Sequence, residues 1–345
     1  MDNLDRFILN RIQDSFPLHE RPYYVLGVET GVSEAEVWQR VQNLKTKGII
    51  RRIGGIFDSR SLGYVSTLCA AKVPSERIQV LADVMGGIQE ITHNYLRDHA
   101  YNMWFTIIAA SYDRLEQIIK RVKKELNSNE VYSLPAKRVF KIEVNFHLND
   151  VKVELNRGKN LNSRTPVSSR TVNALRVSQV TDITEEGKAL IRLLQEDLPN
   201  SLTPLCDMAE QLHTDIQKVI DQTKGFLELG VMRRIGAVLV HHKAGFTANA
   251  MGVWIVPPDR IEQTGAKMAE FKEVSHCYER PALPDWPYNL FTMVHGQSVK
   301  ECEEIMERIS RVTKIRDYSM LFSQLELKKS SMRYFVEEQP HKNII

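Results

Sequence analysis

The chain has 345 residues and a formal net charge of +3, and 43% of its residues are hydrophobic and 26% charged. This length supports two or more domains with their own cores, and the composition is ordinary for a globular protein. No apolar run approaches the roughly 20 residues of a membrane span, and the N-terminus lacks signal-peptide features, so we expect a cytoplasmic protein with no membrane partner. Four cysteines without Cys-x-x-Cys spacing argue against a zinc site or a disulfide framework.

Residues 1–60 are predicted to form a winged helix-turn-helix domain. Apolar residues recur at helical spacing over 4–12, and a second short helix follows. Ser33 is placed to cap a third helix, with Glu36 in the capping-box position. The segment 49–57, Ile-Ile-Arg-Arg-Ile-Gly-Gly-Ile-Phe, predicts a hairpin of two strands, which would be the wing of such a domain.

Residues 61–147 are predicted to form a ferredoxin-like domain with the order β-α-β-β-α-β. Its last strand is indicated by the alternation of apolar and polar residues over 140–146. The next segment, 148–182, is rich in serine, asparagine and threonine, and its positions 151–180 carry six basic residues against one acid. We expect this segment to be a basic flexible linker between folded domains.

The same motifs return in the second half of the chain, which identifies a tandem repeat. The recurring motifs are Arg-Arg-Ile-Gly, at 51–54 and 233–236, and His-x-Tyr-x-Arg, at 93–97 and 276–280. The offset between matched motifs grows from 182 to 187 residues, as small loop insertions would cause. A second winged helix-turn-helix at 183–242 and a second ferredoxin-like domain at 243–337 complete the predicted α+β fold, and we expect the two repeats to pack as a pseudo-dimer.

A winged helix followed by a ferredoxin-like domain resembles the Lrp/AsnC architecture of bacterial regulators. Within that group, the sequence is similar to the sirohaem (siroheme) decarboxylases, whose motifs match in both halves. The matching segments are 51–55, 93–95 and 101–105 in the first repeat, and 233–237, 276–278 and 286–290 in the second. The resemblance implies a carboxy-lyase that converts two acetate side chains of sirohaem to methyls, giving didecarboxysirohaem for haem or denitrifier-haem biosynthesis.

The resemblance also implies the partners of the chain. Sirohaem is the expected substrate and brings its own iron, so no metal of the protein's own is expected. The sequence has no glycine-rich phosphate loop and no cysteine cluster, and we therefore expect an enzyme without a cofactor. In the family two related subunits often pair as a heterodimer, whereas here they look fused. The fusion implies an intramolecular pseudo-dimer and leaves a further homo-oligomer open.

Histidines are the candidate catalytic residues. Loss of a carboxylate requires protonation of the remaining carbon, and histidine titrates nearest neutral pH. His93 and His276 recur in both repeats, each two residues before a tyrosine. His99 has no counterpart in the second repeat, and it is a further acid, an iron ligand or an exposed turn residue. His295 aligns with Ile108 of the first repeat, and we therefore predict that it belongs to the core.

Arginines and aromatic residues are the candidates for binding the substrate, because sirohaem carries eight carboxylates around a flat macrocycle. The guanidinium candidates are Arg51, Arg52, Arg97, Arg233, Arg234 and Arg280. The stacking candidates are Tyr95, Trp104, Tyr278 and Trp286. Strand aromatics are more often core residues, which is the alternative for these four. The alternative for each Arg-Arg pair is one residue on either face of a wing strand, with both in solvent. Alternation along the strand lets only one arginine of each pair face a cavity.

Two other functions are compatible with this architecture. A transcriptional regulator needs cations on its recognition helices, but 33–47 has a net charge of +1 and 213–228 a net charge of −1. We therefore expect no nucleic-acid partner and interpret the helix-turn-helix domains as scaffold. A haem-binding module without turnover would have the same pocket, and only analysis of the product distinguishes it from an enzyme.

Overall fold

The computed structural model describes residues 1–142, 183–240, 248–283 and 285–336 of the chain. Within these residues, no helix is long and apolar enough to span a bilayer. The predicted linker at 148–182 lies outside the described residues, as does the end of the strand predicted at 140–146.

Each repeat begins with three helices, as predicted for a helix-turn-helix domain. They are α1 (Asn3–Asp14), α2 (Pro22–Thr30) and α3 (Glu34–Thr46), and then α6 (Glu185–Leu194), α7 (Pro204–Gln211) and α8 (Ile216–Glu228). Ser33 caps α3 by accepting a hydrogen bond of 3.2 Å from the amide of Glu36. The apolar faces of all six helices meet in one core, so the two helix-turn-helix units form a single layer.

The wing predicted as a hairpin is wrong, because each repeat contributes a single long strand instead. These strands are β1 (Ile50–Phe57) and β7 (Met232–Leu239). They pair antiparallel across the two repeats, with Gly54 opposite Gly236. A Cβ atom on Gly54 would lie 2.3 Å from the carbonyl oxygen of Glu196, and one on its partner only 2.4 Å from that of Ile12. The glycines therefore permit close approach of the ends of α6 and α1, and they do not mark a turn.

Each repeat continues into a ferredoxin-like domain. The first contains β2 (Val65–Ala71), α4 (Ile78–Gly86), β3 (Ile91–Arg97), β4 (Met103–Ala109), α5 (Tyr112–Leu126), β5 (Val131–Leu134) and β6 (Arg138–Ile142). The second contains β8 (Ala248–Trp254), α9 (Ile261–Ala269), β9 (Val274–Glu279), β10 (Leu290–Gly296), α10 (Val299–Thr313) and β11 (Tyr318–Lys329). This order confirms the predicted fold class, with the difference that two strands, β5 and β6, end the first repeat.

The last strand of each repeat crosses into the other repeat. Nine strands form one sheet in the order β5-β2-β4-β3-β11-β8-β10-β9-β6. The first half of β11 pairs with β8 of its own repeat, and the second half, from Ser323, pairs with β3. In the first repeat, β5 pairs with β2, whereas β6 pairs with β9 of the second repeat. This exchange joins the two repeats as an intramolecular pseudo-dimer.

Alternate residues of each strand face either the helices or the space between the two repeats. In β4, Phe105 and Ile107 pack in the core beneath α4 and α5, whereas Trp104 points the other way. We name the side away from the helices the inner face. The inner faces of the two repeats meet in an apolar cluster, the inner apolar cluster. Its buried members are Ala70, Tyr101, Trp104, Leu134, Met251, Val253, Trp286, Phe291 and Leu321.

Candidate active site

Two matched β-bulges turn the predicted catalytic histidines toward the inner face. The pairing register shifts between Ile91 and His93 in β3, and it shifts again at the equivalent place in β9. Each shift inserts one extra residue, Thr92 or Ser275, and reverses the alternation of the strand beyond it. The hydroxyl of this extra residue contacts Nδ1 of the following histidine, at 3.0 Å for His93 and 2.8 Å for His276.

A row of stacked side chains extends from each histidine along its strand. The rings of His93 and Tyr95 stack with centroids 6.3 Å apart, and the guanidinium group of Arg97 lies 5.5 Å from the tyrosine ring. In the second repeat, Tyr278 stacks on its own histidine at 6.0 Å and lies 4.8 Å from the guanidinium group of Arg280. The structure thus brings the three residues of each His-x-Tyr-x-Arg motif into contact.

The arginines at the ends of these rows connect the two repeats. Arg97 donates a hydrogen bond of 2.6 Å to the carbonyl oxygen of Leu321 in β11. Arg280 donates to the carbonyl oxygen of Leu134, which is the equivalent position in the first repeat. Burial lowers the pKa of both guanidinium groups to about 10, and each keeps a buried Nε–H without a partner in the described chain. Their role as carboxylate ligands stays a prediction, and this N–H group could serve it.

Basic side chains from both repeats converge beside β1 and β7, and we name them the central basic cluster. Its members are Arg51, His93, Arg233, His276, His295 and Lys329. Lys329 pairs with His93 in the strand register, and its carbonyl oxygen accepts a hydrogen bond of 3.4 Å from Arg51. Among the described residues, no three histidine, cysteine, aspartate or glutamate side chains are grouped as metal ligands. The positive charge of the cluster suits the binding of anions.

Burial and positive charge keep the three histidines of the cluster neutral. Burial, followed by the charges of Lys329 and Arg51, lowers the pKa of His93 to about 4. Burial, followed by positive charge on neighbours that include His295 and His93, lowers the pKa of His276 to about 3. Burial and then Lys329 lower the pKa of His295 to about 4. His93 and His276, which come from different repeats, therefore lie within electrostatic range of one another.

Two carboxylates border the central basic cluster, and only one of them binds an arginine of the cluster. Asp58 accepts hydrogen bonds of 2.6 and 3.1 Å from Nη2 and Nε of Arg233. Glu326 accepts a hydrogen bond of 3.2 Å from the hydroxyl group of Tyr95. Arg51, the first-repeat equivalent of Arg233, forms no salt bridge within the described ranges. Arg51 is therefore the guanidinium group that is open to a new carboxylate.

The second arginine of each Arg-Arg pair, Arg52 or Arg234, lies outside the central basic cluster, and its role as a substrate ligand stays a prediction. Arg52 donates a hydrogen bond of 3.3 Å to the carbonyl oxygen of Gly55. Arg234 makes the matching bond of 3.2 Å to Ala237. Burial lowers the pKa of both guanidinium groups. Strand alternation explains the separation, because the first arginine of each pair faces the cluster and the second packs against a helix end.

The structure also separates His99 and the two tryptophans from the cluster. His99 lies in the exposed turn after Arg97, at the opposite end of β3 from His93. Its ring meets the edge of Trp286 at a centroid distance of 5.0 Å, and Trp286 packs on Trp104 at 5.1 Å. Both tryptophans are almost fully buried in the inner apolar cluster. Their position favours the alternative of core residues over stacking on a macrocycle.

His295 joins the candidate site, although the sequence analysis placed it in the core. It is largely buried, and its Nε2 lies 2.7 Å from the hydroxyl oxygen of Ser275, which also contacts His276. A signal for it was present in β10, where period-two alternation places His295 on the same face as Phe291 and Met293. A titratable side chain that continues an apolar inner face indicates a site at the end of that face.

Comparison with known families defines the class of the chain. Residues 61–141 and 243–328 match the AsnC-like ligand binding domain. Residues 5–51 and 187–233 match the Siroheme decarboxylase NirDL-like HTH domain. The chain is therefore a tandem pair of units that each join a helix-turn-helix to an AsnC-like domain.

Individual relatives narrow the class to a family. The siroheme decarboxylase of Hydrogenobacter thermophilus is 35% identical over 96% of this chain and 95% of that protein. The siroheme decarboxylase beta subunit of Methanosarcina barkeri is 48% identical over 42% of this chain and 95% of that subunit. The crystal structure of the siroheme decarboxylase NirDL in complex with an iron-uroporphyrin III analogue matches with a TM-score of 0.72 and 32% identity, over 98% of this chain and 96% of that one. The chain belongs to the siroheme decarboxylase family.

Proposed function

We propose that this protein is a sirohaem decarboxylase that converts two acetate side chains to methyls, giving didecarboxysirohaem in haem or denitrifier-haem biosynthesis. The observation that carries the proposal is the central basic cluster, in which cations and histidines from both repeats surround one site. A substrate with many carboxylates suits such a site, since charge-assisted hydrogen bonds are among the strongest that proteins make. The crystallised relative bound to an iron-uroporphyrin analogue supports a tetrapyrrole as the substrate class.

The histidines of the cluster are the proposed proton donors. Their lowered pKa values leave them neutral in the free protein, and the negative charge of bound substrate offsets the nearby cations and favours the imidazolium form. When carbon dioxide leaves, the electron pair of the broken C–C bond spreads into the conjugated macrocycle. A ring N–H of one of these histidines then protonates the methylene carbon. No cofactor is proposed, because the macrocycle itself accepts the electron pair.

Both repeats are proposed to serve one site. His93 and His276 come from different repeats and interact within the same cluster. Arg51 and Arg233 occupy equivalent positions beside them, but Asp58 already holds Arg233. The first repeat therefore supplies the open carboxylate ligand, and the second repeat closes the site.

A DNA-binding regulator is the second candidate function, and the contacts of α3 and α8 do not favour it. Cations on these helices are already paired with carboxylates. The pairs join Arg40 to Asp2, Asp5 and Glu36, Lys45 to Asp197, and Lys218 to Glu186. A cation that is neutralised in this way gains little from a phosphate. We therefore propose that the helix-turn-helix layer is scaffold and has no nucleic-acid partner.

Anaerobic incubation with sirohaem tests the proposal. The wild-type protein should give a product that has lost two molecules of carbon dioxide. His93→Ala and His276→Ala should each lower turnover by about 10²–10⁴-fold and leave binding largely intact. His213→Asn is a matched control, because His213 lies outside the cluster and its left-handed φ of 52° suits asparagine. Tight binding of unconverted sirohaem would favour a haem-binding module, and salt-sensitive binding of duplex DNA would favour a regulator.

A further inference from the structure

The second repeat contains a hydrogen-bonded chain that the first repeat lacks. The hydroxyl oxygen of Ser275 lies 2.8 Å from Nδ1 of His276 and 2.7 Å from Nε2 of His295. One hydroxyl group therefore bridges two imidazole rings. The first repeat has the equivalent hydroxyl in Thr92, but Ile108 occupies the position of the second imidazole. The two repeats thus hold their predicted catalytic histidines alike and differ in what lies behind them.

We propose that His295 is a proton-relay residue, which acts through Ser275 and supplies the proton that His276 delivers to the substrate. The inference rests on the proposed decarboxylation and adds the source of one of its protons. A serine hydroxyl can accept from Nε2–H of His295 and at the same time donate to Nδ1 of His276. The carbonyl oxygen of Met293 lies farther from the hydroxyl group, at 3.4 Å. In this arrangement His276 carries its proton on Nε2, an atom without a hydrogen-bond partner in the described residues.

The proton transfers balance without a further reactant. Loss of carbon dioxide breaks the C–C bond of the acetate and leaves the electron pair on the methylene carbon. The Nε2 proton of His276 moves to this carbon, and the hydroxyl proton of Ser275 moves to Nδ1 of His276. The Nε2 proton of His295 replaces the hydroxyl proton. His295 changes from imidazolium to neutral imidazole, His276 changes only its tautomer, and one proton and one negative charge are consumed.

The surroundings of His295 couple its charge to the presence of substrate. The described residues around it include Ser275 and His276 from β9, Asn249 from β8 and Lys329 from β11, whose Nζ lies 3.8 Å from Glu326. Lys329 is the nearby cation, so a carboxylate that neutralises Lys329 favours protonation of His295. The relay is therefore neutral in the free protein and charged in the complex.

Substitutions at His295 and Ser275 test the relay. Glutamine in His295→Gln can still donate to Ser275, but it cannot give up a proton. We expect His295→Gln and Ser275→Ala each to lower kcat by about 10–10²-fold, with KM changed less than about threefold. Ser275→Thr keeps the hydroxyl, as Thr92 does in the first repeat, and should retain most of the wild-type rate. The singly decarboxylated tetrapyrrole should accumulate in the two slow variants.

The combination of the two slow variants separates a relay from simple packing. Because both substitutions break one chain, the double variant should be no slower than the slower single variant. A double variant whose loss of kcat is the product of the two single losses would overturn the relay, and so would a native kcat in His295→Gln. Thermal unfolding of each variant identifies any loss of kcat that comes from misfolding. Comparison of Ser275→Thr, the most conservative change, with Ser275→Ala then decides whether the hydroxyl group is required.

A readout without turnover distinguishes failure of the relay from failure of the proposed function. Nitrogen-15 NMR of the imidazole of His276 reports its tautomer in the full chain. The Nε2–H form should predominate in the wild-type protein and should give way to a mixture in Ser275→Ala. An unchanged tautomer would refute the bridge, whatever the activity is. Absence of any conversion of sirohaem by the wild-type protein, with the tautomer shift present, would instead refute the decarboxylase proposal.

Discussion

Replacing Arg51 with alanine should weaken tetrapyrrole binding, whereas replacing the adjacent Arg52 should not. Within the described residues, Arg51 makes a long hydrogen bond to the carbonyl oxygen of Lys329 and no salt bridge, so its guanidinium group can exchange water for a substrate carboxylate. Arg52 is largely buried and donates to the carbonyl oxygen of Gly55. The two residues have the same chemistry and adjacent positions, and they therefore form a matched pair.

The expected size of the effect follows from the contact that is lost. A hydrogen bond to a charged group contributes about 1.5–3 kcal/mol, which corresponds to about 10–150-fold in the dissociation constant. Because Arg51 is exposed, solvent screening moves the expectation toward the lower end of this range. Arg52→Ala leaves a buried carbonyl oxygen with one partner fewer, and it should lower the free energy of unfolding by about 1–3 kcal/mol.

Two assays separate binding from stability in these variants. Anaerobic absorbance titration with sirohaem gives the dissociation constant, and urea unfolding followed by circular dichroism gives the free energy of unfolding. Arg233→Ala is a third comparison, and its effect on binding should be smaller because Asp58 already holds that guanidinium group. An unchanged dissociation constant in Arg51→Ala would refute the reasoning, and so would equal weakening by Arg52→Ala in a protein of native stability.

Acid, glycine substitution and the turn histidine provide further tests. The pKa of His276 is about 3 in the folded protein against 6.5 for a free side chain, so the unfolded state binds more protons between these values and stability should fall as the pH drops through them. Between pH 7 and pH 5, the free energy of unfolding of His276→Gln should fall by about 1–2 kcal/mol less than that of the wild-type protein, as measured by urea unfolding. An equal fall in both proteins would contradict the lowered pKa of His276. Gly54→Ala should destabilise the protein by about 1–3 kcal/mol, because its new methyl group would contact Glu196. Gly225→Ala, whose methyl group would meet open space beside α8, should stabilise the protein by about 0.5–1 kcal/mol. Thermal unfolding that ranks the two variants in the opposite order would refute the close approach at Gly54. His99→Ala should lower turnover by less than about threefold, and a loss of 10²-fold would move the turn into the site.

The elements of the fold could be predicted because their signals are local. Helical spacing, caps and alternation identified the helices and most of the strands. Strand partners were not predictable, since the same alternation is compatible with pairing inside a repeat or across two. The paired glycines of β1 illustrate the limit: glycine permits both a turn and close approach to another backbone, and only the position of Glu196 distinguishes them.

The candidate site was predicted in part, because recurrence identifies equivalent positions and not their function. His93 and His276 recur and meet in one cluster. Arg52 and Arg234 recur as well, but their shared contacts are with backbone carbonyl groups. His295 breaks the repeat and was for that reason assigned to the core, although the break itself marks where the two halves differ. Lys329 joins the site through the exchange of β11, which no local pattern reveals.

The central proposal is that the basic cluster removes two carboxylates from sirohaem and replaces each with a proton. Mass spectrometry of the product formed anaerobically in D₂O tests it most directly. The wild-type protein should yield a tetrapyrrole that has lost two molecules of carbon dioxide and carries one deuterium in each new methyl group. Recovery of sirohaem with its mass unchanged, from a protein that binds it, would contradict the proposal.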